Sequence, residues 1–191
     1  MESNSYKEQI ESIISKTFEA ICRVYKTNRE NSNSLSEKDS RIVFPLKRSK
    51  EIRVSEQELR FVFVEQFNKY CSENSCNLFY SIETPTQKEY NFSNPNSKNQ
   101  RSGCIDLVIF NSEGERICLI EFKANNPKED NYKKDFIKLD NEDVELGYFI
   151  QIVENSETTT VLNIENKIEY FKKQAIYYCY CLKRGELILK K

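Results

Sequence analysis

The sequence predicts a mixed α/β domain: a central β-sheet flanked by helices. Three observations carry that prediction. The runs LVIF at 107–110 and ICLI at 117–120 are apolar at every position, as in strands covered on both faces. Apolar residues at helical spacing recur before and after them. Helix-like and strand-like segments then alternate through the second half of the chain, the pattern of layered α/β folds. The predicted order is α-α-β-β-β-α-β-α-β-β.

The first helix is expected over 8–25, where Ile10, Ile13, Ile14, Phe18, Ile21 and Val24 or Tyr25 recur at helical intervals. TNRENSNSLSEKDS (27–40) is polar and aperiodic and reads as a linker, which separates residues 1–40 from a domain at 41–191. RIVFPLK is expected to form a short strand ended by Pro45. In VSEQELRFVFVEQFNKYC, Ser55 precedes Glu58 by three residues, the capping-box spacing of a helix start. Leu59, Val62, Phe63, Phe67 and Tyr70 form that helix's buried stripe. Residues 77–86 read as a strand ending at Pro85, and 87–100 as a long polar loop. Two strands follow around a turn at Glu113-Gly114, then a helix over 128–139, a strand in LGYFIQIVE and a helix over 160–175. IYYCYCLKRGELILKK closes the chain as a hairpin turning at Arg184-Gly185; its tyrosines read as sheet packing rather than as a stacking platform for bases.

Composition narrows the chemistry. The chain has 191 residues, 38% hydrophobic and 31% charged, an ordinary globular makeup. With 29 basic and 30 acidic residues the net charge is -1, so affinity for nucleic acid has to come from local basic patches. MESNSYKEQI is polar, and no apolar run approaches the roughly 20 residues of a membrane span, so a cytoplasmic location and no membrane partner are expected. Seven cysteines without zinc-ribbon spacing predict reduced, mostly buried thiols, with a metal site at Cys179 and Cys181 as the lesser alternative. Histidine is absent, which excludes Ser-His-Asp and Cys-His hydrolysis, histidine-based ribonucleases, HNH-type nucleases and most catalytic zinc sites. Hydrolysis by this chain must use carboxylates, lysine, tyrosine, cysteine or a hard metal ion.

Against that background, Asp106 and Glu121 stand out as carboxylates inside apolar strands, with Lys123 two residues beyond the second. If the chain reverses about Glu113-Gly114, residues whose numbers sum to 227 oppose one another, and Asp106 faces Glu121 on the face that also carries Lys123. Opposed carboxylates repel, and a divalent cation relieves the repulsion. Oxygen ligands alone favour Mg2+ or Mn2+. A lysine beside such an ion stabilises developing charge or, with a depressed pKa, takes a proton. The competing reading is a solvated sheet face, which the apolar neighbours on both faces oppose.

GCIDLVIF with Asp106 and CLIEFKA with Glu121 and Lys123, after a glutamate-bearing helix and before a helix and a strand, resemble the PD-(D/E)xK nuclease superfamily, whose fold is restriction endonuclease-like. The resemblance spans about 54–154, and Ile105 stands where the motif's proline would be. It implies that Asp106, Glu121 and the Phe122 carbonyl hold Mg2+ or Mn2+ and that Lys123 is catalytic. A glutamate of the preceding helix often completes such sites; Glu56 is the first choice, Glu58 the second, and Glu65 lies two turns on. The implied activity is metal-dependent hydrolysis of nucleic acid, DNA more than RNA, by an endonuclease of a prokaryotic cytosol with defence as one setting and a homodimer as one assembly. The alternative is an inactive nuclease-fold module that binds nucleic acid or a protein. Arg101 and Ser102 are candidate phosphate contacts ahead of Asp106; Lys47, Arg48, Lys50, Arg53, Lys133, Lys134 and Lys138 are weaker ones.

Overall fold

The computed structural model describes residues 2–29, 40–91, 101–155, 159–168 and 175–191. Two helices come first, α1 (Glu2–Arg29) and α2 (Glu56–Asn74), then three strands, β1 (Phe79–Tyr90), β2 (Arg101–Phe110) and β3 (Arg116–Ala124). They are followed by α3 (Glu129–Asn141), β4 (Leu146–Val153), α4 (Thr159–Ile168), β5 (Ile176–Cys181) and β6 (Glu186–Lys190). The element order is the predicted one. The fold is mixed α/β, with a six-stranded mixed sheet in the order β1-β2-β3-β4-β5-β6. β1, β2 and β3 pair antiparallel, β3, β4 and β5 pair parallel, and β6 returns antiparallel to β5. α3 and α4 lie in the two parallel connections, where a crossover is needed.

Side-chain alternation divides the core into two layers. Leu107, Ile109, Ile120, Phe122, Tyr148 and Ile150 of the sheet pack under α1 and α2. Val108, Leu119, Phe149 and Tyr177 pack on the other face, under Tyr132, Phe136 and Leu139 of α3 and Ile164 of α4. On β3, Cys118, Ile120 and Phe122 belong to the first layer, so Glu121 and Lys123 share the opposite face with Leu119. Among the described residues, no helix is long and apolar enough to cross a membrane.

Several local expectations change. α1 runs on to Arg29, and 30–39 of the expected linker lie outside the described residues. RIVFPLK forms no strand: the Lys47 amide donates to the Glu51 carbonyl at 2.8 Å, and the resulting turn leaves one isolated Leu46–Ile52 bridge. β1 continues through Pro85 to Tyr90, because on an edge strand a missing amide donor is tolerated. Residues 92–100 of the expected loop, and 169–174 of the expected fourth helix, lie outside the described residues. Tyr70 is only half-buried, with the Lys16 ammonium 5.0 Å above its ring. Ser55 caps α2 in extended conformation, yet its hydroxyl bonds the Glu58 carboxylate and no backbone amide.

The thiols are not all reduced, contrary to expectation. Ser75 ends α2 in the left-handed conformation (φ 51°) and folds Cys76 back onto Cys71, where the two form a disulfide with Cα atoms 4.7 Å apart. Of the remaining cysteines, Cys22, Cys118, Cys179 and Cys181 are buried and Cys104 is exposed. Cys179 and Cys181 pack in the layer under α4 as small hydrophobes.

Candidate active site

β2 and β3 leave their turn as a regular hairpin and part at the charged residues. The Asn111 side chain accepts from the Glu113 and Glu115 amides, and Gly114 takes φ +79°, which suits a residue without Cβ. Leu107 then faces Ile120, Val108 faces Leu119 and Ile109 faces Cys118, the predicted register. The ladder stops there. The expected direct pairing of Asp106 with Glu121 is replaced: Asp106 Oδ2 accepts the Phe122 amide at 2.8 Å, so its side chain lies in the seam between the strands. Glu121 and Lys123 project toward α3. On β1, Glu83 lies between the Ile82–Leu107 and Thr84–Ile105 pairs with φ +50°, a conformation that costs a glutamate on the order of 1 kcal/mol.

Protein cations meet these carboxylates. Arg60, three residues before Phe63 on the buried stripe of α2, places its guanidinium 2.7 Å from Asp106 Oδ1 and 2.5 Å from Glu83 Oε1. Lys138 Nζ of α3 stands 2.6 Å from Glu121 Oε1, 2.9 Å from Asp135 Oδ1 and 2.7 Å from the Cys104 carbonyl. Lys123 Nζ stands 2.8 Å from Asp135 Oδ2, 2.9 Å from the Phe122 carbonyl and 3.8 Å from Glu56 Oε2. Asp135 therefore bridges two ammonium groups. The Lys138–Glu121 contact and the Lys123–Asp135 contact are close ion pairs without hydrogen-bond alignment at Glu121 Oε1 and Asp135 Oδ2.

Burial and crowding set the protonation. Burial, then Asp135 and Asp106, pushes the Glu121 carboxyl well above the ordinary carboxylate range, against the pull of Lys138 and Lys123. Burial also raises Glu56, with Lys123 pulling it back. For Lys123, burial acts downward, but Asp135, Asp106, Glu56 and Glu121 outweigh it and hold the ammonium above the ordinary lysine value. Lys138 is raised in the same way by Glu121 and Asp135 against its burial. In this arrangement Lys123 is a charged donor and not a base.

A second network fixes the helix start over the lysine. Gln151, buried on β4 beside Lys123, donates Nε2 to the Asn125 carbonyl at 2.5 Å and accepts from the Tyr177 hydroxyl at 2.5 Å. Asn125 donates Nδ2 to the Val54 carbonyl at 3.0 Å. Val54 is two residues ahead of Glu56, so the end of β3 is latched to the start of α2.

A cavity of about 410 Å³ opens beside this cluster. Glu56, Lys123, Asp135 and Lys138 line it together with Arg101, Ser102 and Lys134. Both residues predicted for phosphate contact are thus present at the cavity. Glu58 is not; it is taken by Arg53 at 2.9 Å and by Ser55. Lys47 and Lys133 pair with Glu51 and Glu129 instead. Sequence reasoning missed Arg60 and Asp135 and underrated Lys138. A signal existed: Asp135 and Lys138 each precede a stripe residue of α3, Phe136 and Leu139, so they flank the buried face.

The donor set suits a hard divalent cation, since Asp106, Glu121, Asp135, Glu56 and the Phe122 and Cys104 carbonyls all offer oxygen. As they stand, no three acidic or thiol side chains among the described residues form a group that could hold one ion, and the ammonium groups of Lys123 and Lys138 lie against Asp135 and Glu121. The chain matches no protein-family model, and no curated protein or solved structure is significantly similar to it.

Proposed function

We propose that the chain is a divalent-metal-dependent nuclease that hydrolyses phosphodiester bonds of nucleic acid, acting on DNA as an endonuclease. The observation that carries this reading is the gathering of Glu56, Asp106, Glu121 and Lys123 from α2, β2 and β3 where the hairpin parts, beside a cavity rimmed by Arg101 and Lys134. The succession α2-β1-β2-β3-α3-β4 supports it as well, being the arrangement expected of a PD-(D/E)xK nuclease. When bound, Mg2+ or Mn2+ supplies water of lowered pKa and polarises a phosphoryl oxygen. The chain's residues do the rest. Asp106, Glu121 and the Phe122 carbonyl would hold the ion, Glu56 would supply a further carboxylate from the helix start, and Lys123 would donate to charge developing on the phosphate. Arg101 and Ser102 position the backbone without reading sequence. By analogy with the same family, the setting is prokaryotic defence and the assembly a homodimer that cuts both strands.

Supercoiled plasmid, single-stranded DNA and RNA incubated with Mg2+ or Mn2+ test the reading. Cleavage of DNA is expected, with Asp106→Ala and Lys123→Ala each slowing it about 100-fold or more. Cleavage that survives both substitutions defeats the residue assignment. One observation favours a second reading, an inactive binding module: Arg60 and Lys138 already neutralise Asp106 and Glu121 without any ion. Calorimetry separates the two, because an inactive module takes up no Mn2+ through Asp106 and Glu121.

A further inference from the structure

We propose that Lys138 is a displaceable internal counter-ion: its ammonium holds the place beside Glu121 that a divalent cation takes, and once displaced it contacts the substrate phosphate in the adjacent cavity. The inference rests on the nuclease reading and deepens it. Lys138 Nζ sits among three oxygens, from Glu121 at 2.6 Å, Asp135 at 2.9 Å and the Cys104 carbonyl at 2.7 Å. Oxygen donors of this kind are what a hard cation uses, and Glu121 is the one of the three that also belongs to the proposed metal-holding set. Glu121 is only 1% exposed, and the Lys138 ammonium occupies the position against its Oε1.

Charge points the same way. Lys138 is the ammonium that Glu121 and Asp135 share, at 2.6 and 2.9 Å. Moving it away takes one positive charge from between two buried carboxyls, and a divalent ion in its place more than restores that charge. The displaced side chain has somewhere to go, because Lys138 already lines the cavity that Arg101 and Ser102 border. Lys123 is the poorer candidate for displacement: its ammonium rests on the Phe122 carbonyl one residue away and on Asp135, and it touches Glu121 through no direct contact.

Two measurements test the proposal. Lysine acetylation of the unaltered chain, read by mass spectrometry, should show Lys138 protected in the absence of metal and labelled severalfold more at saturating Mn2+, with the exposed Lys133 unchanged. Calorimetry with Mn2+ alone should show Lys138→Met binding the ion roughly tenfold more tightly than the parent, while its affinity for DNA in Ca2+ falls. If the parent binds Mn2+ but Lys138 labelling does not rise, the lysine's role is overturned and the nuclease reading stands. If the parent binds no Mn2+, both fall. Should Lys138→Met fail to fold, the labelling result decides by itself.

Discussion

Glu121 is a carboxyl whose surroundings resist its ionisation. It is buried at the end of an apolar strand with Asp135 and Asp106 near by, and its pKa is pushed well up for those reasons, burial first. Below the ordinary glutamate value the carboxyl is neutral in both folded and unfolded chains. As pH rises past that value the unfolded chain gives up its proton first, and the folded state loses stability until the buried group ionises too. Glu121→Gln, which imitates the neutral form, is therefore expected to raise Tm at pH 7 and to lose that advantage near pH 4, while abolishing metal-dependent cleavage. Thermal melts at the two pH values check the first part, and a plasmid assay the second. Arg60 makes the opposite case, because it is the counter-charge that lets Asp106 and Glu83 stay where they are. Arg60→Met strands Asp106, while the exposed Glu83 stays solvated, and is expected to cost about 3 kcal/mol in urea unfolding.

At the scale of elements, the latch from Tyr177 through Gln151 to Asn125 and Val54 joins β5, β4, the end of β3 and the approach to α2. None of its members lines the cavity, yet it ties the end of the strand that carries Lys123 to the approach of the helix that carries Glu56. Gln151→Leu leaves the Tyr177 hydroxyl and the Asn125 carbonyl without their partner, which is expected to cost about 2 kcal/mol. It should also lower cleavage at saturating Mg2+ more than it weakens DNA binding, a split that steady-state kinetics would reveal. This latch was not legible in the sequence, because its members lie as far apart as residues 54 and 177 and only strand pairing brings them together. The α3 stripe was legible. Tyr132, Phe136 and Leu139 lie at helical spacing, and the structure buries all three. What the stripe could not say was that Asp135 and Lys138 on its margin face Glu121 and Lys123.

Over the whole molecule, α1 belongs to the same apolar layer as the sheet. Ile10, Ile13 and Ile21 are fully buried, and Phe18 stacks on the Tyr180 ring with centroids 4.7 Å apart. A chain reduced to residues 41–191 would expose that layer to water at about 25 cal/mol per Å². It is expected to lose cooperative unfolding, which circular dichroism during a thermal melt would show. A retained sharp transition would mean that α2 and the sheet form a core without it. With a net charge of -1, long-range attraction cannot gather nucleic acid to the molecule. Binding should instead depend on the few cations around the cavity and weaken steeply with salt.

The sequence by itself determined the order of the elements, the hairpin register about Gly114, the burial of both charged strands and the exclusion of histidine chemistry, since all of these follow from local spacing and composition. Tertiary structure decided which cations answer the buried carboxylates. Arg60 and Lys138 come from helices on opposite faces of the sheet, and no periodicity within either helix encodes the partner across the space between. It decided the place of Asp106 too: alternation along β2 predicts a side chain on one face or the other, but where two strands separate, a carboxylate satisfies the freed amide and settles in the seam.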